Sequence, residues 1–250
     1  MGFGDSGIIR VDGAFPGPAA AAMSDLVWQV LGWNFGFDRA DRSTWGEFRK
    51  RPLAEAGAAP IFEELLTDRL AAMVDDLLGE GGWEWPSDWG DFLITFPGPT
   101  GWRLPHEGWH QDWGFDVDCD PVRWVKAFAF LNEVRPGGGG TPVVTGSHRL
   151  VGRYGSGRAR DQQGRVLKGS DRLYDECGYL RDLGSPGDPA ERRRRFMERE
   201  TDVDGVGLRV VELTGRPGDV VLIHPWLVHA VAPNAAATPR FMRAPVFRSR

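Results

Sequence analysis

The chain has 250 residues, 41% hydrophobic and 26% charged, the balance of a globular protein with length enough for one large domain. A formal charge of -5 excludes the basic surface expected of a nucleic-acid or anionic-membrane binder. No apolar run is long enough to span a bilayer and "MGFGDSGIIRVDG" lacks a signal-peptide pattern. With only Cys119 and Cys177, a reduced cytoplasmic protein is expected.

In chain order, "GIIRVDGAF" (7–15) predicts a short strand and "PAAAAMSDLVWQVLGW" (18–33) a helix after it. Residues 60–79 predict one longer helix. Pro60 suits its first turn, Gly79 its stop, and Phe62, Leu65, Leu66, Leu70, Met73 and Leu77 form its apolar stripe. From residue 91 the chain changes to short apolar runs separated by Gly and Pro. These predict strands over 91–96, 123–134, 141–146, 208–214, 219–231 and 240–247. Many short strands after two helices predict a mainly β fold with flanking helices, a sandwich or barrel. Residues 150–205 interrupt this pattern with polar, Gly-rich and Arg-rich sequence. They are expected to form a lid or substrate wall within a single domain spanning 1–250. In "ERRRRFMERE" (191–200) the interspersed glutamates predict a solvated helix.

The stretch "WHQDW" (109–113) carries the first chemistry. An extended chain sends alternate side chains to opposite faces, so His110 and Asp112 share a side and the flanking tryptophans take the other. A second histidine is available in "GDVVLIHPWLVHAVAPN" (218–234), where His229 falls at the end of a late strand. Two histidines and a carboxylate that leave coordination positions open form the facial triad of non-haem Fe(II) oxygenases. Taken alone the spacing is a weak signal, because any one histidine is more commonly a hydrogen-bonded core residue. Arg240, eleven residues after His229 across a turn, adds a planar fork suited to a carboxylate. A dicarboxylate chelating iron at one end would meet Arg240 at the other.

With "GIIRVDGAFP", "FLNEVRPGGGGTPVVTGSHR" and "GDVVLIHPWLVHAVAPNAAATPR" added to "WHQDW", about half the chain resembles the phytanoyl-CoA dioxygenase family. The shared branch is that of bacterial natural-product tailoring enzymes. The resemblance implies a double-stranded β-helix, a cupin-like jelly roll, with Fe(II) at one mouth and 2-oxoglutarate as cosubstrate. It assigns His110, Asp112 and His229 as metal ligands and Arg240 as the 2-oxoglutarate clamp, with Phe128 the aromatic against the cosubstrate. Val231 departs from a hydroxyl residue that some relatives use to touch 2-oxoglutarate. Thr141 and Lys126 are the substitutes expected here; a solvated rim lysine is the rival reading of Lys126. The quadruple glycine at 137–140 lacks the Lys-Ser/Thr of a phosphate loop and predicts a tight turn. His148 is expected to hydrogen-bond near the site, and His224, at opposite strand parity to His229, is the weaker ligand.

The resemblance further implies that 2-oxoglutarate decarboxylation and O2 reduction drive oxidation of a substrate C–H bond, by hydroxylation, desaturation or oxidative ring closure. A carboxylate at 112 closes the halide position of halogenating relatives. Seven of the eleven tryptophans lie between 83 and 124, and their broad faces suit sugar or fused apolar rings. The preferred substrate is therefore a small-molecule natural product, a glycoside or oligosaccharide antibiotic precursor, with His106, Trp113, Tyr174 and Tyr179 (and Tyr154) as contacts. For the tyrosines, packing that anchors the insert is the alternative. The rival functions are a non-catalytic carbohydrate-binding jelly roll and a metal-dependent cupin-type isomerase.

Overall fold

A computed structural model of the chain describes residues 2–48, 50–86, 88–112, 122–155 and 169–250. The chain opens with α1 (Phe3–Ser6), β1 (Ile8–Val11), α2 (Gly17–Phe35), α3 (Lys50–Ala56) and α4 (Asp68–Leu78). The sequence predicts one helix over 60–79, but the structure breaks it. Residues Pro60–Leu65 form a 3-10 turn and Leu66 leaves helical geometry, 43% exposed, so it falls off the apolar stripe. Thr67 then caps α4, its Oγ1 accepting the Leu70 N–H at 3.2 Å, while Asp68 in the first turn favours the helix dipole. The cap residue wins over the continuous hydrophobic pattern.

The strands follow: β2 (Trp83–Glu84), β3 (Asp91–Thr95), β4 (Trp124–Phe130) and β5 (Pro142–Thr145). Four helices come next, α5 (Ser147–Gly155), α6 (Gly169–Glu176), α7 (Gly178–Leu183) and α8 (Pro189–Phe196). The chain closes with β6 (Thr201–Val203), β7 (Val206–Glu212), β8 (Val220–Ile223), β9 (Arg240–Ala244) and β10 (Val246–Ser249). Among the described residues, every pairing between these strands is antiparallel. One sheet runs β1-β8-β4-β10-β2, with β9 alongside β4 and β3 outside β9; the other runs β5-β7-β6. Pro245, which has no N–H to donate, divides the expected strand 240–247 into β9 and β10.

The two sheets face one another as a jelly roll. Phe128, Phe130, Val221, Ile223 and Met242 from the larger sheet meet Val143 and Leu213 from the smaller side in one buried cluster. The outer face of the larger sheet is covered by α2, the 3-10 turn and α4, through Met23, Val27, Phe62, Leu65 and Leu70 against Val125, Ala127, Leu222 and Phe241. Helices α5 to α8 cover the smaller sheet, packing Leu150, Leu173, Leu183 and Phe196 on Val144, Leu208, Val210 and Val228. The described part of 150–205 is thus a helical layer with its own core. In α8, Arg192 is buried rather than solvated. Its guanidinium donates to the carbonyls of Leu183 (2.7 Å) and Pro105 (2.9 Å), closing the open end of α7.

Candidate active site

The last ligand owes its position to a change of sheet. The sequence predicts one strand over 219–231, yet β8 ends at Ile223, which pairs with both Ile8 and Lys126 in the larger sheet. Pro225 cannot continue the ladder. The Trp226 N–H turns back onto His224 Nδ1 at 3.1 Å, and the Leu227 N–H onto the His224 carbonyl at 2.9 Å. The chain then joins the smaller sheet, where His229 forms bridges with His110 on one side and Val143 on the other. His110 and His229 exchange two backbone hydrogen bonds, each 2.9 Å, so their rings stand side by side at 4.4 Å between centroids.

Each imidazole is oriented by its own backbone. Nδ1 of His110 faces the Gly108 carbonyl at 2.8 Å, and Nδ1 of His229 faces that of Leu227 at 2.9 Å. A proton on each Nδ1 leaves both Nε2 lone pairs free for a metal. Asp112 completes the group: one donor atom from each of the three residues lies within 4.8 Å of the others, and Asp112 Oδ2 is 3.6 Å from His229 Nε2. Burial pushes His229 down to about 4, against the opposing pull of Asp112, so the ring is neutral at physiological pH, as a ligand must be.

Lys126 Nζ donates to Asp112 Oδ2 at 2.8 Å and sits 5.7 Å over the Phe128 ring. Phe128 is buried with its ring nearly perpendicular to that of His229, centroids 6.3 Å apart. The rim-lysine alternative does not hold, since the Lys126 side chain is 17% exposed and paired. Asp112 and Lys126 also face a cleft of about 740 Å³ whose other walls include Trp89, Asp91, Arg243 and Val246.

Arg240 opens β9 on the face that looks inward, two residues before Met242. It is 3% exposed, and its Nη1 donates to the Gly139 carbonyl at 2.6 Å and to Thr141 Oγ1 at 3.2 Å. Its Nε is buried without a partner, and among the described residues it makes no ion pair. Burial lowers the guanidinium to about 10, with the Glu212 carboxylate opposing, so it stays charged at neutral pH. Arg192 and Arg243 share an unpartnered Nε; what suits Arg240 to a carboxylate is its inward position beside the Gly139 carbonyl and the Thr141 hydroxyl.

The remaining residues of the sequence reading are spread more widely. Tyr179 is 5% exposed, its ring perpendicular to Phe196 at 5.2 Å, inside the core that anchors α7 to α8. Tyr174 packs on the same core, and burial raises its hydroxyl well above the ordinary range. For both, anchoring is what the geometry supports. His106 is 37% exposed beside Glu107, four residues before the first ligand. Trp113 and the Tyr154 side chain lie outside the described residues. Trp83 and Trp89 are buried in the outer core, and Val231 is 64% exposed. His148 stacks on His224 at 4.7 Å and meets the Gly4 carbonyl, beneath α1 and apart from the three donors. Sequence reasoning passed over Glu212, whose carboxylate accepts the N–H groups of Gly137 (2.8 Å) and Gly140 (3.0 Å) in the expected tight turn. A lone glutamate in "RVVELT" gives no signal of that role.

Among the described residues no helix is long and apolar enough to cross a membrane. Solved structures similar in fold include the non-heme monooxygenase ThoJ in its apo form, at 18% identity and TM-score 0.55 over 99% of this chain and 75% of that one. HygX from Streptomyces hygroscopicus, with nickel and 2-oxoglutarate bound, matches at 20% identity and TM-score 0.53 over 99% and 84%. SnoK, a non-heme alpha ketoglutarate dependent carbocyclase from nogalamycin biosynthesis, matches at 16% and 0.53 over 99% and 81%. No curated protein matches the sequence. The model of the phytanoyl-CoA dioxygenase (PhyH) family matches residues 36–242, most of the chain including all three donors and Arg240, and the chain belongs to that family.

Proposed function

We propose that the protein is an Fe(II)/2-oxoglutarate-dependent oxygenase. Fe(II) and 2-oxoglutarate are the metal and cosubstrate of its family. The observation that carries the reading is the convergence of three metal-ligand side chains, with a buried arginine on the inward face of the same jelly roll in support. His110, Asp112 and His229 offer a facial donor set, and Arg240 holds a buried cation with a donor to spare. Bound there, iron would activate O2 at the expense of 2-oxoglutarate. His110 and His229 would hold it through Nε2, their Nδ1 protons fixed on backbone carbonyls. Arg240 and Thr141 would receive the far carboxylate of the cosubstrate, and Phe128 would wall the space between.

The substrate is a small-molecule natural product, preferably a glycoside or oligosaccharide antibiotic precursor, oxidised by hydroxylation or oxidative ring closure. It reaches the metal along the cleft that ends at Asp112 and Lys126. The family match and the likeness to SnoK from nogalamycin biosynthesis support this class. The described helices of the 150–205 segment border the mouth through the Arg192 bond to Pro105, which steadies the stretch leading to His110, and help to keep water from the site. A carbohydrate-binding jelly roll would need neither the donor set nor Arg240, and a cupin-type isomerase would need no 2-oxoglutarate.

The test is succinate release from 2-oxoglutarate with Fe(II) and O2, run against a mass-spectrometric screen of glycosides. Substrate-stimulated succinate with a product 16 mass units heavier, or 2 lighter for ring closure, is expected. Metal-dependent conversion without 2-oxoglutarate would instead establish the isomerase reading.

A further inference from the structure

The clamp is held from behind by a turn, and that turn has an unusual fastening. Both bonds from Arg240 Nη1 go to one short segment, the Gly139 carbonyl and Thr141 Oγ1. Where the guanidinium points therefore depends on where residues 139–141 sit. Gly137 and Gly139 adopt left-handed backbone angles (φ 82° and 76°), which only glycine takes without strain. The segment also has no slack. A Cβ on Gly139 would lie 2.9 Å from that of Asn234, and one on Gly140 would lie 2.2 Å from the Leu213 carbonyl.

Glu212, the last residue of β7 and opposite Pro142 in the ladder, brackets this turn. One carboxylate oxygen takes the Gly137 N–H and the other takes the Gly140 N–H, so the two ends of the glycine run are tied to a single rigid group. The arrangement carries an electrostatic cost. Glu212 lies close enough to Arg240 for their charges to interact, yet makes no ion pair with it, and it is half-buried. A second negative charge behind the clamp partly satisfies the cation that a cosubstrate carboxylate is meant to satisfy. An amide or hydroxyl could accept from the turn without that penalty, but neither presents two equivalent acceptors to two N–H groups.

We infer that Glu212 is a positioning residue for 2-oxoglutarate, acting through the 137–140 turn to fix the Gly139 carbonyl and Thr141 and, through them, the aim of Arg240. The inference rests on Arg240 being the cosubstrate clamp. It predicts a defect that falls mainly on the dicarboxylate, because His110 and His229 are set by their mutual pairing and by β5 beyond the turn, and none of the three metal donors bonds to residues 137–140.

The experiment is calorimetric titration of 2-oxoglutarate into the Ni(II)-loaded full chain without O2, with Ni(II) affinity and thermal unfolding measured on the same proteins. Glu212→Ala should weaken 2-oxoglutarate about tenfold, Glu212→Gln, which keeps one acceptor, should fall between, and Ni(II) affinity should stay within about twofold of wild type. The glutamine variant is the decisive one should the alanine variant fail to fold. Wild-type 2-oxoglutarate affinity in Glu212→Gln and Glu212→Ala would overturn the inference. So would parallel losses of Ni(II) affinity, 2-oxoglutarate affinity and melting temperature, since those mark a merely structural glutamate. If the wild-type Ni(II) protein takes up no 2-oxoglutarate at all, the reading of Arg240 falls first and this one with it.

Discussion

Strand β9 carries two buried arginines three residues apart, and the two faces of the strand use them differently. Arg243 points outward under the helical layer. Its guanidinium lies 4.0 Å from the Phe92 ring centre and 4.6 Å from that of Phe62, with an Nη2 bond to the Gly57 carbonyl at 3.3 Å. Arg240 points inward to the jelly-roll interior, where two oxygen acceptors take Nη1; the Nε of both arginines is buried without a partner. Burial lowers both to about 10, so burial alone does not tell them apart. Their surroundings do. Two aromatic faces flank Arg243, as befits a structural plug, whereas Arg240 lies beside polar oxygens in the interior, which suits an anion.

The largest effect expected from this contrast is on stability. Arg243→Ala should cost about 3 kcal/mol in urea unfolding, by removing a cation packed between two rings and leaving a cavity. Arg243→Met should recover much of it, because an apolar chain of similar length fills the same slot. Neither variant should change 2-oxoglutarate affinity in the folded protein. A weakened cosubstrate in Arg243→Met would show that the outer arginine also serves the site.

The next effect comes from a second buried pair that is structural in the same sense. Burial pushes His148 down to about 4 and His224 to about 3, the latter lowered further by the neighbouring His148 ring. Here the folded values lie below the ordinary 6.5, so between about pH 6.5 and 4 the unfolded chain binds protons that the folded chain does not. Stability is complete above that window and falls as the pH drops through it. Unfolding at pH 5 should be easier than at pH 7 by on the order of 2 kcal/mol. His224→Gln should flatten the profile, and an unaltered pH slope would mean the rings are not held neutral.

A smaller effect belongs to the inner face. Arg240→Lys keeps the charge but loses the planar fork, and should weaken 2-oxoglutarate about tenfold, ~1.4 kcal/mol, with little change in melting temperature. A large loss of melting temperature with unchanged cosubstrate affinity would reverse the roles of the two arginines.

How much of this was legible in the sequence depends on the range of each interaction. The strands, the tight glycine turn and the grouping of His110, Asp112 and His229 could be read, because local patterns encode much of them: alternation in "WHQDW", a histidine at the end of a late apolar run, a run of glycines. The break at Thr67 was hidden by a hydrophobic stripe that runs unbroken past a good cap residue. The change of sheet at Pro225 was hidden because "DVVLIHPWLVHAV" has the composition of one strand. Pairings across long separations left no trace. Lys126 with Asp112, Glu212 with the 137–140 turn, and Arg192 with the Pro105 carbonyl each join segments whose proximity only the folded chain reveals. The tyrosines of the insert were ambiguous for a further reason, since an aromatic ring with a polar tip serves a core as well as a substrate pocket.

The most direct measurement of the central claim is a crystal structure of the full chain prepared without O2, with Fe(II) and 2-oxoglutarate. The account predicts one metal bound by His110 Nε2, an Asp112 carboxylate oxygen and His229 Nε2, with 2-oxoglutarate filling further positions and its far carboxylate on Arg240 and Thr141. Metal bound elsewhere, or 2-oxoglutarate with its far carboxylate away from Arg240, would contradict it.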